Sequence, residues 1–205
     1  MEDLKYEEAK TILEEISSYS DASGKLDECN YNIATELYDN GDYEEARAIF
    51  SSLSTYYNSQ TMVKECDYCI AEELLDNDSY IEAMKAFHDL GTFKDSSSKF
   101  TQAENYILTE NRTYSYFKDD YSMPGRWEDS SGNYVEYTRT SSGGMNAAWN
   151  ISSSSGEYFK ISYGIHYHGD DSTGWEKQWI FQRITSTSVN VYNYISGQTY
   201  QFTKS

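Results

Sequence analysis

The chain has 205 residues, with 34 Asp and Glu against 16 Lys and Arg and a formal net charge of -18. That excess of acid argues against a nucleic-acid partner, which needs Lys and Arg to displace phosphate counterions, and against docking on an anionic membrane surface. No run of about 20 apolar residues is present, so no helical membrane span is expected, and 21 Tyr within an aromatic content of 16% argue against disorder.

The first residues, Met1 to Lys10, are acidic and amphipathic and lack the charged and apolar regions of a signal peptide. From there the apolar positions recur every 37 residues: Tyr6, Tyr43 and Tyr80; Ala9, Ala46 and Ala83; Leu13, Phe50 and Phe87; Ile16, Leu53 and Leu90. The columns continue through Tyr19, Tyr56 and Phe93, then Leu26, Val63 and Phe100, then Cys29, Cys66 and Ala103, and Ile33, Ile70 and Ile107. Within a unit the steps are helical. Tyr43, Ala46, Phe50 and Leu53 form one stripe, and Val63, Cys66, Ile70, Ala71 and Leu74 another. Asp39-Asn40-Gly41-Asp42 supplies a turn whose Gly suits a left-handed helix end, and Asn58-Ser59 and Asp95-Ser96 are placed to N-cap the longer helices. A hairpin of this kind cannot bury its stripe alone, so stacked hairpins forming an α-solenoid are expected.

The segment Ala34-x2-Leu37-x3-Gly41-Asp42-Tyr43-x2-Ala46-x3-Phe50-x2-Leu53 resembles the tetratricopeptide repeat, and the resemblance covers about residues 1–110. It departs from that family in its 37-residue period against about 34, in having no Pro after the second helix, and in placing Asn30 and Asp67 where a large aromatic is usual. Tyr56-x2-Ser59 and Phe93-Lys94-Asp95-Ser96 look like repeats of Gram-positive bacterial proteins. The resemblance implies a concave, peptide-binding side lined by the long helices. By position it holds Glu28, Tyr31, Thr35, Tyr38 and Asp39 in one unit and Glu65, Tyr68, Glu72, Leu75 and Asp76 in the next. Tyr and acid alternate there without a base, which fits a basic or aromatic protein segment; alternatively these Tyr pack between repeats. Leu4–Ser17 matches a second helix with no first helix before it, and its Ile12, Leu13 and Ile16 are apolar. Two explanations stand side by side: a removed upstream segment, with a membrane anchor among the options, or a half-repeat that caps the array.

Beyond about Asn111 the period changes to two, and all four Trp and nine of the twelve Gly lie there. About seven strands are expected, at 125–129, 133–140, 145–151, 157–168, 175–184, 188–195 and 198–204, as a small antiparallel barrel or sandwich. Gly125-Arg126-Trp127 is similar to the opening of lipocalin-like barrels, which would imply one mouth and an apolar ligand; alternatively Trp127 plugs the barrel floor. Trp149, Trp175 and Trp179 are candidates for stacking on sugar rings, or else form the core. His166 and His168 at i, i+2, followed by Asp170 and Asp171, are the one candidate metal pair.

Cys66-x2-Cys69 lies in a helix without a second pair, and Cys29 and Cys66 share a column with Ala103, so the three thiols read as reduced and mostly core. No nucleophile elbow, Ser-x2-Lys or phosphate loop is present, and adjacent acids such as Glu44-Glu45 point apart. The expectation is therefore α+β in separate domains, residues 1–110 helical and 111–205 β. It is a non-enzymatic adaptor, without cofactor, whose repeats hold a protein segment and whose β domain is a second contact. The alternative is a β domain binding a glycan or lipid, displayed on a helical stalk. The chain reads as cytoplasmic, or as an envelope component if an upstream anchor was removed.

Overall fold

The structure, a computed structural model, describes residues 3–16, 19, 21–113, 125–139, 145–151, 154–158, 160–162, 164–170 and 174–205. It is α+β: helices followed by a curled antiparallel sheet. Its contacts divide it into two compact units, Met1–Asn77 with Thr92–Lys94, and Asp78–Gly91 with Asp95–Ser205.

The first unit holds α1 (Asp3–Glu15), α2 (Ala22–Asn40), α3 (Tyr43–Ser52) and α4 (Ser59–Asp76), each packed on the next. Ala34, Ala46, Phe50, Leu53 and Cys66 form its core, with Tyr31, Leu37, Tyr38 and Tyr43 packed around them. Tyr43, Ala46, Phe50 and Leu53 belong to one stripe given by the helical spacing, and Cys66 to the other. Gly41 ends α2 in the left-handed region at φ 90°; its N–H donates to Tyr38 O and that of Asp42 to Leu37 O, at 3.1 and 2.8 Å. That pair of bonds is a Schellman ending, and it needs a residue tolerant of positive φ. The expected N-cap at Asn58 is corrected. Its side chain makes no cap bond, because Oδ1 accepts from the Tyr31 hydroxyl, and the N–H groups of Thr61 and Met62 donate to the Asn58 carbonyl instead.

Among the described residues the second unit holds α5 (Tyr80–Leu90), α6 (Ser96–Thr113) and nine strands: β1 (Gly125–Glu128), β2 (Tyr134–Arg139), β3 (Met145–Ile151), β4 (Ser154–Tyr158), β5 (Lys160–Ser162), β6 (Ile165–Asp170), β7 (Gly174–Arg183), β8 (Ser188–Asn193) and β9 (Thr199–Lys204). Their order is β4-β3-β2-β1-β9-β8-β7-β6-β5, with every recorded neighbour antiparallel. It is a meander in which β1 and β9 join, and β4 comes near β6, so the sheet curls into a half-barrel rather than a two-sheet sandwich. The run expected as one strand at 157–168 is shared among β4, β5 and β6: β4 pairs back on β3, and β5 pairs with β6.

The core residues of the sheet are Trp127, Val135, Tyr137, Trp149, Ile151, Trp179, Phe181, Val189, Val191 and Phe202. The α5–α6 hairpin packs on β7, β8 and β9. Phe100 meets the rings of Tyr192 and Tyr194 at 5.6 and 6.3 Å. Gly197, at φ 66° in the β8–β9 turn, lies where an added Cβ would come within 2.9 Å of the His88 ring, so the turn and α5 approach closely because the residue has no side chain.

Polar bonds lock this packing. Glu104 of α6 is 8% exposed and accepts Lys177 Nζ at 2.7 and 2.8 Å and the Tyr194 hydroxyl. Burial, and then Glu104, hold the Tyr194 phenol well above its ordinary pKa, so it stays a donor. Asn111 Nδ2 donates to Phe181 O at 2.9 Å and Asn190 Nδ2 to Glu82 Oε1 at 3.2 Å. Removing Glu104 strands a partly buried ammonium and a half-buried phenol. Glu104→Ala is expected to cost about 2–3 kcal/mol, less than for a fully buried pair because Lys177 is partly solvated; Glu104→Gln, which still accepts from Tyr194, loses less. Urea unfolding of the two variants checks the order.

Candidate functional site

The groove positions implied by the repeat resemblance fall on α2 and α4, and most are engaged within the first unit. Glu28 pairs with Lys25 at 2.8 Å on the surface. Tyr31 is half-buried, meeting Phe50 at 5.4 Å and Tyr57 at 5.6 Å. Thr35 Oγ1 donates back to Tyr31 O at 2.9 Å. Tyr38 lies between α3 and α4, its ring 5.4 Å from Tyr43 and its hydroxyl 3.6 Å from Cys69 Sγ. Burial above all, then the Cys69 bond, raises its pKa, and burial pushes the Cys66 thiol up to about 11, so neither is a nucleophile at neutral pH.

On α4, Glu65 is ion-paired with Lys94, whose Nζ also lies 4.4 Å from the centre of the Tyr68 ring. Tyr68 is buried and donates to Glu72 Oε1 at 3.3 Å, and Leu75 is buried. The α4 row thus offers less open surface than its composition implied. A base the sequence placed outside the groove, Lys94, supplies the charge that the Tyr and acid pattern lacked.

The more open site lies between α1 and α2. A cleft of about 470 Å³ is lined by Tyr6, Ala9, Ile12 and Leu13 from α1 and by Lys25, Glu28, Cys29 and Asn32 from α2. Ile12 is 60% exposed and Ile16 41% exposed. Glu28 is the one implied groove residue that reaches it. The apolar Ile12, Leu13 and Ile16 were the sequence signal; what they border, and the part played by Lys25 and Asn32, depends on how α1 settles on α2.

In the sheet, Trp149 and Trp179 stack edge to face at 5.2 Å and are 5% and 1% exposed, which leaves no ring face open for a sugar. Trp127 is also buried. The side chains of Trp175 and His168 lie outside the described residues. His166 is fully buried, its Nε2 3.0 Å from the Tyr137 hydroxyl and its ring 4.3 Å from Phe181. The β6–β7 register shifts beside it, between His166 and Tyr167. Among the described residues no group of three His, Cys, Asp or Glu converges as a metal site would need. A second cleft, of about 650 Å³, is polar. It runs along Glu128–Ser131, Asn133 and β9 at Thr199, Tyr200, Gln201 and Thr203.

The chain matches no protein-family model, no curated protein and no solved structure. Among the described residues no helix is long and apolar enough to cross a membrane.

Burial lowers the His166 pKa from 6.5 to about 3. The folded form is therefore neutral where the unfolded chain takes a proton, and stability present above about pH 6.5 is lost as the pH falls toward about 3. Between pH 7 and 5 the loss from this group is expected to be about 2 kcal/mol. His166→Gln, which keeps a partner for Tyr137 but does not titrate, should flatten that part of the profile in urea unfolding.

Proposed function

We propose that the chain is a non-enzymatic adaptor of tetratricopeptide-like hairpins whose helices hold a protein segment, with the β part as a second contact. The repeat reading draws support from backbone recurrence. The α4 and α6 helices start 37 residues apart, as do α3 and α5. Residues in the left-handed region pair at the same spacing: Gly41 with Asp78, Ser54 with Gly91, and Tyr57 with Lys94.

The observation that carries the binding function is the open apolar cleft beside α1, since apolar side chains left in water at a concave place are characteristic of binding surfaces. Residues 1–110 hold 25 acids and 8 bases, which favours a partner segment bearing Lys or Arg. The test is capture from host lysate on the immobilised chain, over a salt series, followed by binding of the purified captured protein. Ile12→Asp, at an exposed position, should weaken binding at least tenfold, and rising salt should weaken it further. Binding indifferent to both would remove the support for this function.

The alternative, a ligand-binding β part, rests on the polar cleft along β9. A smaller cleft lined by Glu82, Asn190, Thr199, Tyr200 and Gln201 adjoins it. Carboxylates of Glu82, Glu128 and Asp129, with hydroxyls, amides and a phenol and without a base, fit a neutral glycan better than a lipid or an anion. Titration with neutral oligosaccharides should then shift the amide resonances of Gln201 and Thr203; unchanged spectra at millimolar sugar would end it.

A further inference from the structure

We infer that the tyrosine cluster where the α3–α4 turn meets α2, made of Tyr31, Tyr56 and Tyr57 beside Glu28, is the seat for an arginine side chain of the partner segment. The inference rests on the adaptor function and adds the place where the partner's charge is read.

A template stands 37 residues further on. Glu28, Tyr31, Tyr56 and Tyr57 correspond there to Glu65, Tyr68, Phe93 and Lys94. In that later set the cation belongs to the chain itself. Lys94 Nζ lies 4.4 Å from the centre of the Tyr68 ring and 5.7 Å from that of Phe93, and it is ion-paired with Glu65. Ring faces and a carboxylate thus hold one ammonium between them.

The earlier set keeps this frame and exchanges the cation for a third ring. Tyr57 stands in the left-handed region at φ 46° and Lys94 at φ 47°, so the backbone launches both side chains alike. Positive φ is costly for a residue with a Cβ, and an outlier of this kind points to a use for the side chain it carries. The Tyr57 ring lies 5.6 Å from Tyr31 and 5.0 Å from Tyr56. Tyr31 is itself fixed, by its hydroxyl donating to Asn58 Oδ1 and by Phe50 at 5.4 Å. Tyr57 is 81% exposed, so the packing that orients its ring leaves most of that ring to water.

Charge and shape decide what the open ring takes. Glu28 pairs with Lys25 at 2.8 Å, but the two side chains are 52% and 66% exposed, and an ion pair in that setting exchanges readily for another. Partial burial and then the charge of Glu28 raise the Tyr56 phenol above its ordinary pKa, which sets this carboxylate within electrostatic reach of the rings. The three centroids are 5.0, 5.6 and 6.0 Å apart, leaving no room among them for the methylated ammonium that an enclosing cage would take. A guanidinium needs only one open face. It stacks flat on the ring, is weakly hydrated, and keeps its N–H groups in plane for a carboxylate. Arginine is therefore preferred over lysine, whose ammonium is compact and strongly hydrated.

The probe is the peptide acetyl-Gly-Arg-Gly-amide, titrated into the full chain while the amide resonances of Glu28, Tyr57 and Asn58 are followed. Saturable shifts at millimolar peptide are expected, with affinity about threefold lower for the Lys peptide. The citrulline peptide, planar but uncharged, should give none. Tyr57→Ala should remove the shifts and Tyr57→Phe should keep them. Tyr57→Lys writes the later set into the earlier one and should also remove them, because the chain then fills its own seat. Lys94→Ala should open a second seat, seen as new saturable shifts at Glu65 and Tyr68. Absence of saturation, equal shifts from the Arg and citrulline peptides, or shifts unchanged by Tyr57→Ala overturn the inference. A captured protein that needs Ile12 yet binds the Tyr57→Ala chain as tightly as the parent leaves the adaptor function standing and removes the arginine seat. Peptide shifts that follow Tyr57 while capture ignores both Ile12 and salt keep the seat and remove the support for the adaptor.

Discussion

Glu104 sits in the middle of α6 with almost no access to water, and a carboxylate in that position is tolerable only if its charge is answered. Lys177 answers it from β7, and the Tyr194 hydroxyl completes the set just beyond β8. Three separate parts of the chain are thereby fixed at one point. Around that point the aromatic rings of Phe100, Tyr192 and Tyr194 interlock, and Asn111 adds a bond from the last turn of α6 to the β7 backbone. The third hairpin has consequently given one of its faces to the sheet, and the compact unit it belongs to is the one that contains the strands.

Much of this was legible in the residues. The apolar period located the helices, the Gly41 turn and the columns that became core, because those features depend on neighbours within about one hairpin. The strands were legible to the same degree: Val189, Val191 and Phe202 alternate as a half-buried sheet should. The division among β4, β5 and β6 was hidden, since 157–168 reads as one strand and its division depends on which strand each part pairs with. The attachment of α5 and α6 to the sheet was equally out of reach. A repeat records how a hairpin closes on itself, whereas Glu104 and Lys177 are 73 residues apart and neither is unusual where it stands.

The candidate sites show the same division. Tyr31, Tyr38 and Tyr68 were read from the sequence as a row of phenols, yet spacing does not say whether a ring looks outward. Lys94 reaches across to Glu65 and Tyr68 from a loop, and the Asn58 amide is spent on Tyr31. Such tertiary bonds settle which polar groups remain for a partner. Trp127, Trp149 and Trp179 followed the rule that large rings in a small Leu-poor domain are used to fill it. By contrast the apolar Ile12 and Ile16 of α1 were noted in the sequence, and both are exposed.

The joining of β1 to β9 carries a consequence for how the protein is made. Glu128 and Thr203 are neighbours in the sheet but 75 residues apart in the chain. During synthesis the helices of the first unit can settle as they emerge, since each meets its neighbour soon after. The first strand of the sheet instead waits with one edge unpaired until the final strand leaves the ribosome. Until then that edge, with Trp127 on it, is a surface open to wrong pairing with another nascent chain. Residues 1–110, made before it, hold 25 acids against 8 bases, and like charge at that density opposes the close approach of two such chains.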